Sequence, residues 1–153
     1  MSETAGGPIA SVLFLCTHNR IRSPMAEALT KLRYGPLIRA ESAGIRPHDE
    51  PDYLAWSVMD EVGGDLESHH ARGLDAFDEM EEPPFDLIVS LSPEAHHRAL
   101  DLIPRLGAEA EYWPTFDPSL SEGSRDQRLM EYRQVRDALD KRIAARFPRP
   151  STG

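Results

Sequence analysis

The sequence predicts a single-domain α/β fold of three layers, a four-stranded parallel sheet with helices on both faces. Two observations lead there. Short, continuously apolar runs alternate with segments whose apolar residues recur at helical spacing, and Gly or Pro punctuates most junctions. Continuous runs suit strands covered on both faces, and strand–helix alternation gives parallel pairs joined by right-handed crossovers. A chain of 153 residues is long enough to bury one core of its own.

The first strand is Val12–Cys16, an unbroken apolar run. A polar loop follows, and then Pro24 suits a first helical turn with Ser23 as N-cap. Met25, Ala28, Leu29 and Leu32 share a face of that helix, which Gly35-Pro36 ends. Leu37–Ala43 reads as the second strand, closed by Gly44. Pro51 opens a helix with Ala55, Val58, Met59 and Val62 on one side and Gly63-Gly64 at its end. Phe85–Leu91 is the third strand, Pro93 starts a helix toward Leu102, and Ala110–Trp113 is a short fourth strand. After a polar loop, 114–124, the last helix aligns Leu129, Tyr132, Val135, Leu139 and Ile143. Residues 1–10 and 148–153 are expected to be flexible tails.

Composition narrows the function. Lys and Arg total 17 against 26 Asp and Glu, a formal charge of −9. Such a surface argues against nucleic-acid binding and offers an anionic substrate no long-range steering. No run of about 18 apolar residues exists to span a membrane, and Met1–Ala10 lacks the basic cluster of a signal peptide. Cys16 is the only cysteine, so an internal disulfide is impossible and a cytoplasmic, reducing location is expected. The doublets His69-His70 and His96-His97 point adjacent side chains apart and have no second thiolate nearby, so no metal is expected. Asp78-Glu79-Met80-Glu81-Glu82 reads as a solvated loop.

The chemistry concentrates at Cys16-Thr17-His18-Asn19-Arg20-Ile21-Arg22-Ser23. Five residues separate Cys16 from Arg22, and Ser23 follows. A strand–loop–helix junction aims backbone N–H groups, here those of Thr17 to Ser23, and the positive helix end at one spot beyond the strand's carboxyl end. Those amides and the forked guanidinium of Arg22 can hold the equatorial oxygens of a tetrahedral oxyanion, with the sulfur below its central atom. The same surroundings favour a thiolate, which Ser23 is expected to support through its hydroxyl. Asn19 tolerates unusual backbone angles and can brace the loop through its amide. A thiolate needs no adjacent base, but a leaving oxygen needs an acid. Asp117, stiffened by Pro118 on the loop after the last strand, falls on the same sheet edge and is the candidate. The residues thus lead to phosphate-ester cleavage in two steps: attack by Cys16, then hydrolysis of a phosphocysteine with Asp117 activating water.

From Ser11 to Phe147 the chain resembles the low-molecular-weight protein tyrosine phosphatase family, which shares its fold with thiol-linked arsenate reductases. The run Cys16–Ser23 with Pro24-Met25-Ala26-Glu27-Ala28 carries the likeness most specifically. The resemblance implies Cys16 as nucleophile, Arg22 as the phosphate-binding arginine, Asn19 and Ser23 as loop supports, and Asp117 as general acid. It also implies that Ser42 in Ser42-Ala43-Gly44 braces the loop and that His69 supports Asn19. No cofactor or metal is implied. The expected substrate is a phosphorylated protein or small aryl phosphate, with inorganic phosphate, sulfate or vanadate as ligands.

Four departures stand out. His18 replaces a usual glycine, and Ile21 replaces a second cysteine found in many members. Ser119 and Leu120 stand where tyrosines usually follow the Asp-Pro pair, and Ile45–Glu50 lacks an aromatic flank for phosphotyrosine. Ser42–Pro47 and Gly123-Ser124-Arg125 resemble the arsenate reductase branch, in which a single cysteine would require an external small thiol. The third alternative is an anion-binding module without turnover.

Overall fold

The computed structural model describes residues 9–77, 85–106 and 109–148, with side chains of 102–106 excepted. The acidic run 78–82 lies outside the described residues. Four strands form one parallel sheet in the order β2-β1-β3-β4: β1 Ser11–Cys16, β2 Arg39–Gly44, β3 Leu87–Ser90 and β4 Glu109–Tyr112. The helices are α1 Arg22–Tyr34, α2 Tyr53–Asp60, α3 Pro93–Leu106 and α4 Arg125–Arg146. The fold is the expected three-layer α/β domain.

Alternation along β1 sorts the core. Val12, Phe14 and Cys16 pack with residues of α1, α2 and α4, whereas Leu13 and Leu15 face Ala95 and Ala99 of α3 together with Phe77 and Phe85. The central position of β1 is what hides both faces and makes its sequence uniformly apolar. Ile9 and Ala10, assigned to a tail from sequence, are held: Ile9 packs on the core, Ala10 N–H donates to Asp86, and its carbonyl accepts from Arg39.

Several boundaries differ from expectation for identifiable reasons. Ile21 is the N-cap of α1 and makes no side-chain cap, because Ser23 lies inside the helix with its hydroxyl turned to Cys16. Leu37 ends a 3-10 turn, Gly35–Leu37, and is exposed, so β2 begins only at Arg39. Asp52, not Pro51, caps α2 by accepting from Ala55 N–H. Leu32 and Val62 are exposed: helical spacing put them on an apolar face, but neighbouring helices do not cover that far edge. Trp113 follows β4 and is buried beside Phe14. Ser124 and Gln127 form a reciprocal capping box at the start of α4. No described helix is long and apolar enough to cross a membrane.

Candidate active site

Cys16 ends β1, and the loop after it turns at Asn19, whose φ of 54° is left-handed. Asparagine tolerates that angle better than most residues. Gly44, paired with Cys16 across the sheet, makes room for the turn: a Cβ there would lie 2.8 Å from both the Asn19 nitrogen and the His18 carbonyl carbon. The loop curls back so that the Asn19 N–H donates to Cys16 Sγ at 3.3 Å, and Ser23 Oγ lies 3.0 Å from the same sulfur. Cys16 is only 2 % exposed and forms the floor of a small cavity of about 20 Å³. His18, Arg20, Ile21, Arg22, Asp117 and Ser119 complete its lining. A larger groove of about 660 Å³ lies elsewhere, lined by Pro24, Lys31, Arg39 and Asp65 among others. It does not include Cys16, the one cysteine of the chain, which lines the smaller cup.

The three residues proposed from sequence for the reaction meet at this cup. Arg22 Nη1 donates to the Thr115 carbonyl at 3.0 Å, which fixes the guanidinium against the loop after β4. Its Nη2 lies 3.8 Å from Asp117 Oδ2. Asp117 has the extended backbone expected before proline, with φ −86° and ψ 105°. Its other oxygen, Oδ1, accepts from the Ser119 N–H at 3.0 Å and the Ser119 hydroxyl at 2.7 Å.

The loop-support residues also converge. Asn19 Nδ2 donates to Ser23 Oγ at 2.8 Å and to Ser42 Oγ at 2.9 Å. His69 Nε2 lies 3.0 Å from the Asn19 carbonyl, a geometry that requires the Nε2–H tautomer. Thr17 Oγ1 donates to Ser92 Oγ at 3.0 Å, tying the loop to the start of α3. Arg20 contributes to the cup's edge, but its guanidinium turns away to the Glu50 carbonyl, with Asp52 beyond at 3.8 Å. His18 stands at the rim with its ring edge against His48, 6.0 Å between centroids. Partial burial, then the Arg46 guanidinium and the neighbouring His48 ring, push its pKa down.

Sequence reasoning missed four participants. Arg72 N–H donates to Asn19 Oδ1 and its Nε to the Ser42 carbonyl. Glu27 accepts from Ser42 Oγ at 2.6 Å. Ser92 and Ser119 complete the set. Glu27 was accessible through its spacing, four residues after Ser23 on one helix face. Ser92 was accessible from the rule that picked Cys16, being at the exit of a central strand. Arg72 reaches Asn19 through its backbone, for which residue type gives no signal, and its side chain reaches the Ser42 carbonyl from a part of the chain remote in sequence. The aromatic side chains that could wall a substrate differ in their surroundings. Trp113 is core, and Tyr53 packs edge-on against Trp56 with its ring largely exposed. Phe116 is exposed beside Asp117. Among the described residues, no three His, Cys, Asp or Glu side chains group as metal ligands.

Comparison with known proteins follows the same lines. The family described as low molecular weight phosphotyrosine protein phosphatase matches residues 11–147. An arsenate reductase of Halalkalibacterium halodurans is 33 % identical over 135 residues, covering 86 % of this chain and 91 % of its own. The Erwinia amylovora tyrosine phosphatase AmsI superposes with a TM-score of 0.72 at 22 % identity, over 92 % of this chain and 93 % of its own. An arsenate reductase solved in a phosphate-binding state gives 0.69 at 25 % identity, over 88 % and 94 % of the two chains.

Proposed function

We infer the activity from one premise: this chain belongs to the low molecular weight phosphotyrosine protein phosphatase family. The reading is a cysteine-dependent phosphatase that hydrolyses aryl phosphate monoesters, phosphotyrosine included, through a phosphocysteine on Cys16. One observation carries it: Asp117 and the Arg22 guanidinium, 3.8 Å apart, line the same cup as the Cys16 sulfur. A nucleophile, an anion clamp and a proton carrier are then within reach of one phosphoryl group.

In the first step the Cys16 thiolate forms an S–P bond as the P–O bond to the leaving group breaks. Asp117 gives its proton to the departing oxygen. Loop amides from Thr17 to Ser23 and the fork of Arg22 hold the equatorial oxygens as charge redistributes over them. In the second step a water oxygen bonds to phosphorus, the S–P bond breaks, and the water proton passes to Asp117. Asn19, Ser23, Ser42 and His69 act by holding the loop. The catalytic unit is residues 11–147, working without cofactor in the cytoplasm, with inorganic phosphate, sulfate and vanadate as simple ligands of the cup. The phosphate-binding state of the related arsenate reductase supports that ligand class.

The name of the Halalkalibacterium relative favours a second reading, arsenate reduction. Here Cys16 takes up arsenate, an external small thiol attacks the Cys16 sulfur, and arsenic leaves as arsenite carrying two electrons. The resulting mixed disulfide is opened by a second external thiol, since no other cysteine exists in the chain.

Hydrolysis of 4-nitrophenyl phosphate at mildly acidic pH tests the first reading. Activity should vanish in Cys16→Ser and Arg22→Ala, and Asp117→Asn should suffer most with poor leaving groups. Arsenite release with glutathione or another small thiol, without hydrolysis of any ester, would select the second.

A further inference from the structure

A carboxylic acid can carry its proton on either oxygen, and only one oxygen of Asp117 is turned toward Arg22. Oδ2 is that oxygen, 3.8 Å from the guanidinium. Oδ1 already accepts two hydrogen bonds, from the N–H and the hydroxyl of Ser119. Pro118 has no N–H, so Ser119 is the first residue after Asp117 whose backbone can donate to it. The amide bond alone would serve as the cap of the short turn Pro118–Leu120. The hydroxyl is additional, and Ser119 lines the cup beside Cys16 and Arg22.

We propose that Ser119 is the positioning residue of the acid: its two donors occupy Asp117 Oδ1 and confine the transferable proton to Oδ2. An oxygen that accepts two hydrogen bonds has its lone pairs committed, so placing a proton there would break one of them. The proton therefore resides on Oδ2 before the leaving group departs, and Oδ2 is the basic oxygen when water attacks the phosphocysteine. The hydroxyl also fixes the carboxyl plane by a second point, which a single backbone bond leaves free to rock. Ser119 touches no reacting atom and acts only through Asp117. The proposal rests on the phosphatase reading, in which Asp117 is the proton carrier.

Leaving-group dependence separates positioning from a structural role, because only a defect in proton delivery falls selectively on poor leaving groups. The experiment measures kcat/KM for aryl phosphates from 4-nitrophenyl to phenyl, in wild type, Ser119→Ala, Ser119→Thr, Asp117→Asn and the Asp117→Asn/Ser119→Ala double variant. Phenyl phosphate turnover by Ser119→Ala should fall roughly five-fold more than 4-nitrophenyl phosphate turnover, the factor one neutral hydrogen bond supplies. Ser119→Thr, which keeps the hydroxyl, should restore the wild-type ratio. In the Asp117→Asn background, Ser119→Ala should lose its selectivity. An equal loss on all esters, no loss at all, or a selective loss that persists without Asp117 would overturn the role of Ser119 alone. An Asp117→Asn enzyme with wild-type leaving-group dependence, or a wild type that hydrolyses no ester, would overturn the wider reading and this proposal with it.

Discussion

Asn19 is the residue on which the loop's shape converges, and replacing it has a cost that can be built from its contacts. The side chain is fully buried and makes three hydrogen bonds, donating to Ser23 and Ser42 and accepting from the Arg72 N–H. At about 1 kcal/mol for each, Asn19→Ala loses about 3 kcal/mol from these bonds. Its φ of 54° adds about 1 kcal/mol more for a residue with a Cβ and no local amide. The sum, about 4 kcal/mol, is a large share of the 5–15 kcal/mol that holds a typical domain together. Asn19→Gly loses the same three bonds but not the backbone preference, so it should be about 1 kcal/mol less destabilised than Asn19→Ala. Guanidinium denaturation followed by circular dichroism, with m-values compared to confirm a common unfolded state, measures both. A loss under about 1 kcal/mol for Asn19→Ala would mean that the network does not hold the loop. Equal losses for the two variants would mean that the left-handed turn is unstrained.

Three further outcomes are expected. Glu61 is pulled down to about 2 by hydrogen bonds from Arg133 and Arg136. Because its folded value lies below its unfolded one, its contribution is complete above the usual carboxylate range and is lost as pH falls from about 4.5 through 2. Glu61→Gln should flatten that part of the acid denaturation curve and leave its neutral part with the same slope. The His18 imidazole should titrate below its ordinary value of 6.5 by NMR, and Arg46→Met should move it upward by removing one of the cations that oppose its charge. Tyr132, fully buried, donates to Asp52 Oδ2 at 2.8 Å, so Tyr132→Phe should cost about 2 kcal/mol in chemical denaturation, as expected for a hydrogen bond to a charged acceptor.

Much of this architecture could be read from the chain because its signals are local. The apolar run ending at Cys16 is continuous because β1 is covered on both faces, and sequence shows continuity directly. Arg22 and Cys16 share one short loop, so spacing alone brings them together. Asp117 is remote in sequence but lies beyond a strand end, and parallel topology gathers such ends at one edge. What stayed hidden depends on tertiary choices. Ser23 satisfies every local criterion for an N-cap, yet Ile21 takes that position because the loop directs the Ser23 hydroxyl at the sulfur. Leu32 and Val62 fit the apolar periodicity of their segments, but how far a neighbouring helix reaches decides whether an edge position is covered. Arg72 braces Asn19 through a main-chain N–H that any residue but proline could supply.

The hydrogen-bond chain beneath the cup has a fixed direction, and its ends determine it. The Arg72 backbone N–H can only donate, so the Asn19 side-chain oxygen must be the atom facing it, and the amide nitrogen must face the two serines. That nitrogen can only donate, so Ser23 and Ser42 both receive from it. Ser42 sends its own hydrogen to Glu27, a carboxylate that in its charged form can only accept. Ser23 is left with one hydrogen and, among its partners here, one acceptor, the Cys16 sulfur at 3.0 Å. The Asn19 N–H is directed at that sulfur as well. Two donors therefore aim at Cys16: the Asn19 backbone N–H can only donate, and reversing the Ser23 hydroxyl would require flipping the Asn19 side-chain amide against the Arg72 N–H. In a chain of formal charge −9, the positive polarity directed at Cys16 comes from these local donors rather than from any field of the whole protein.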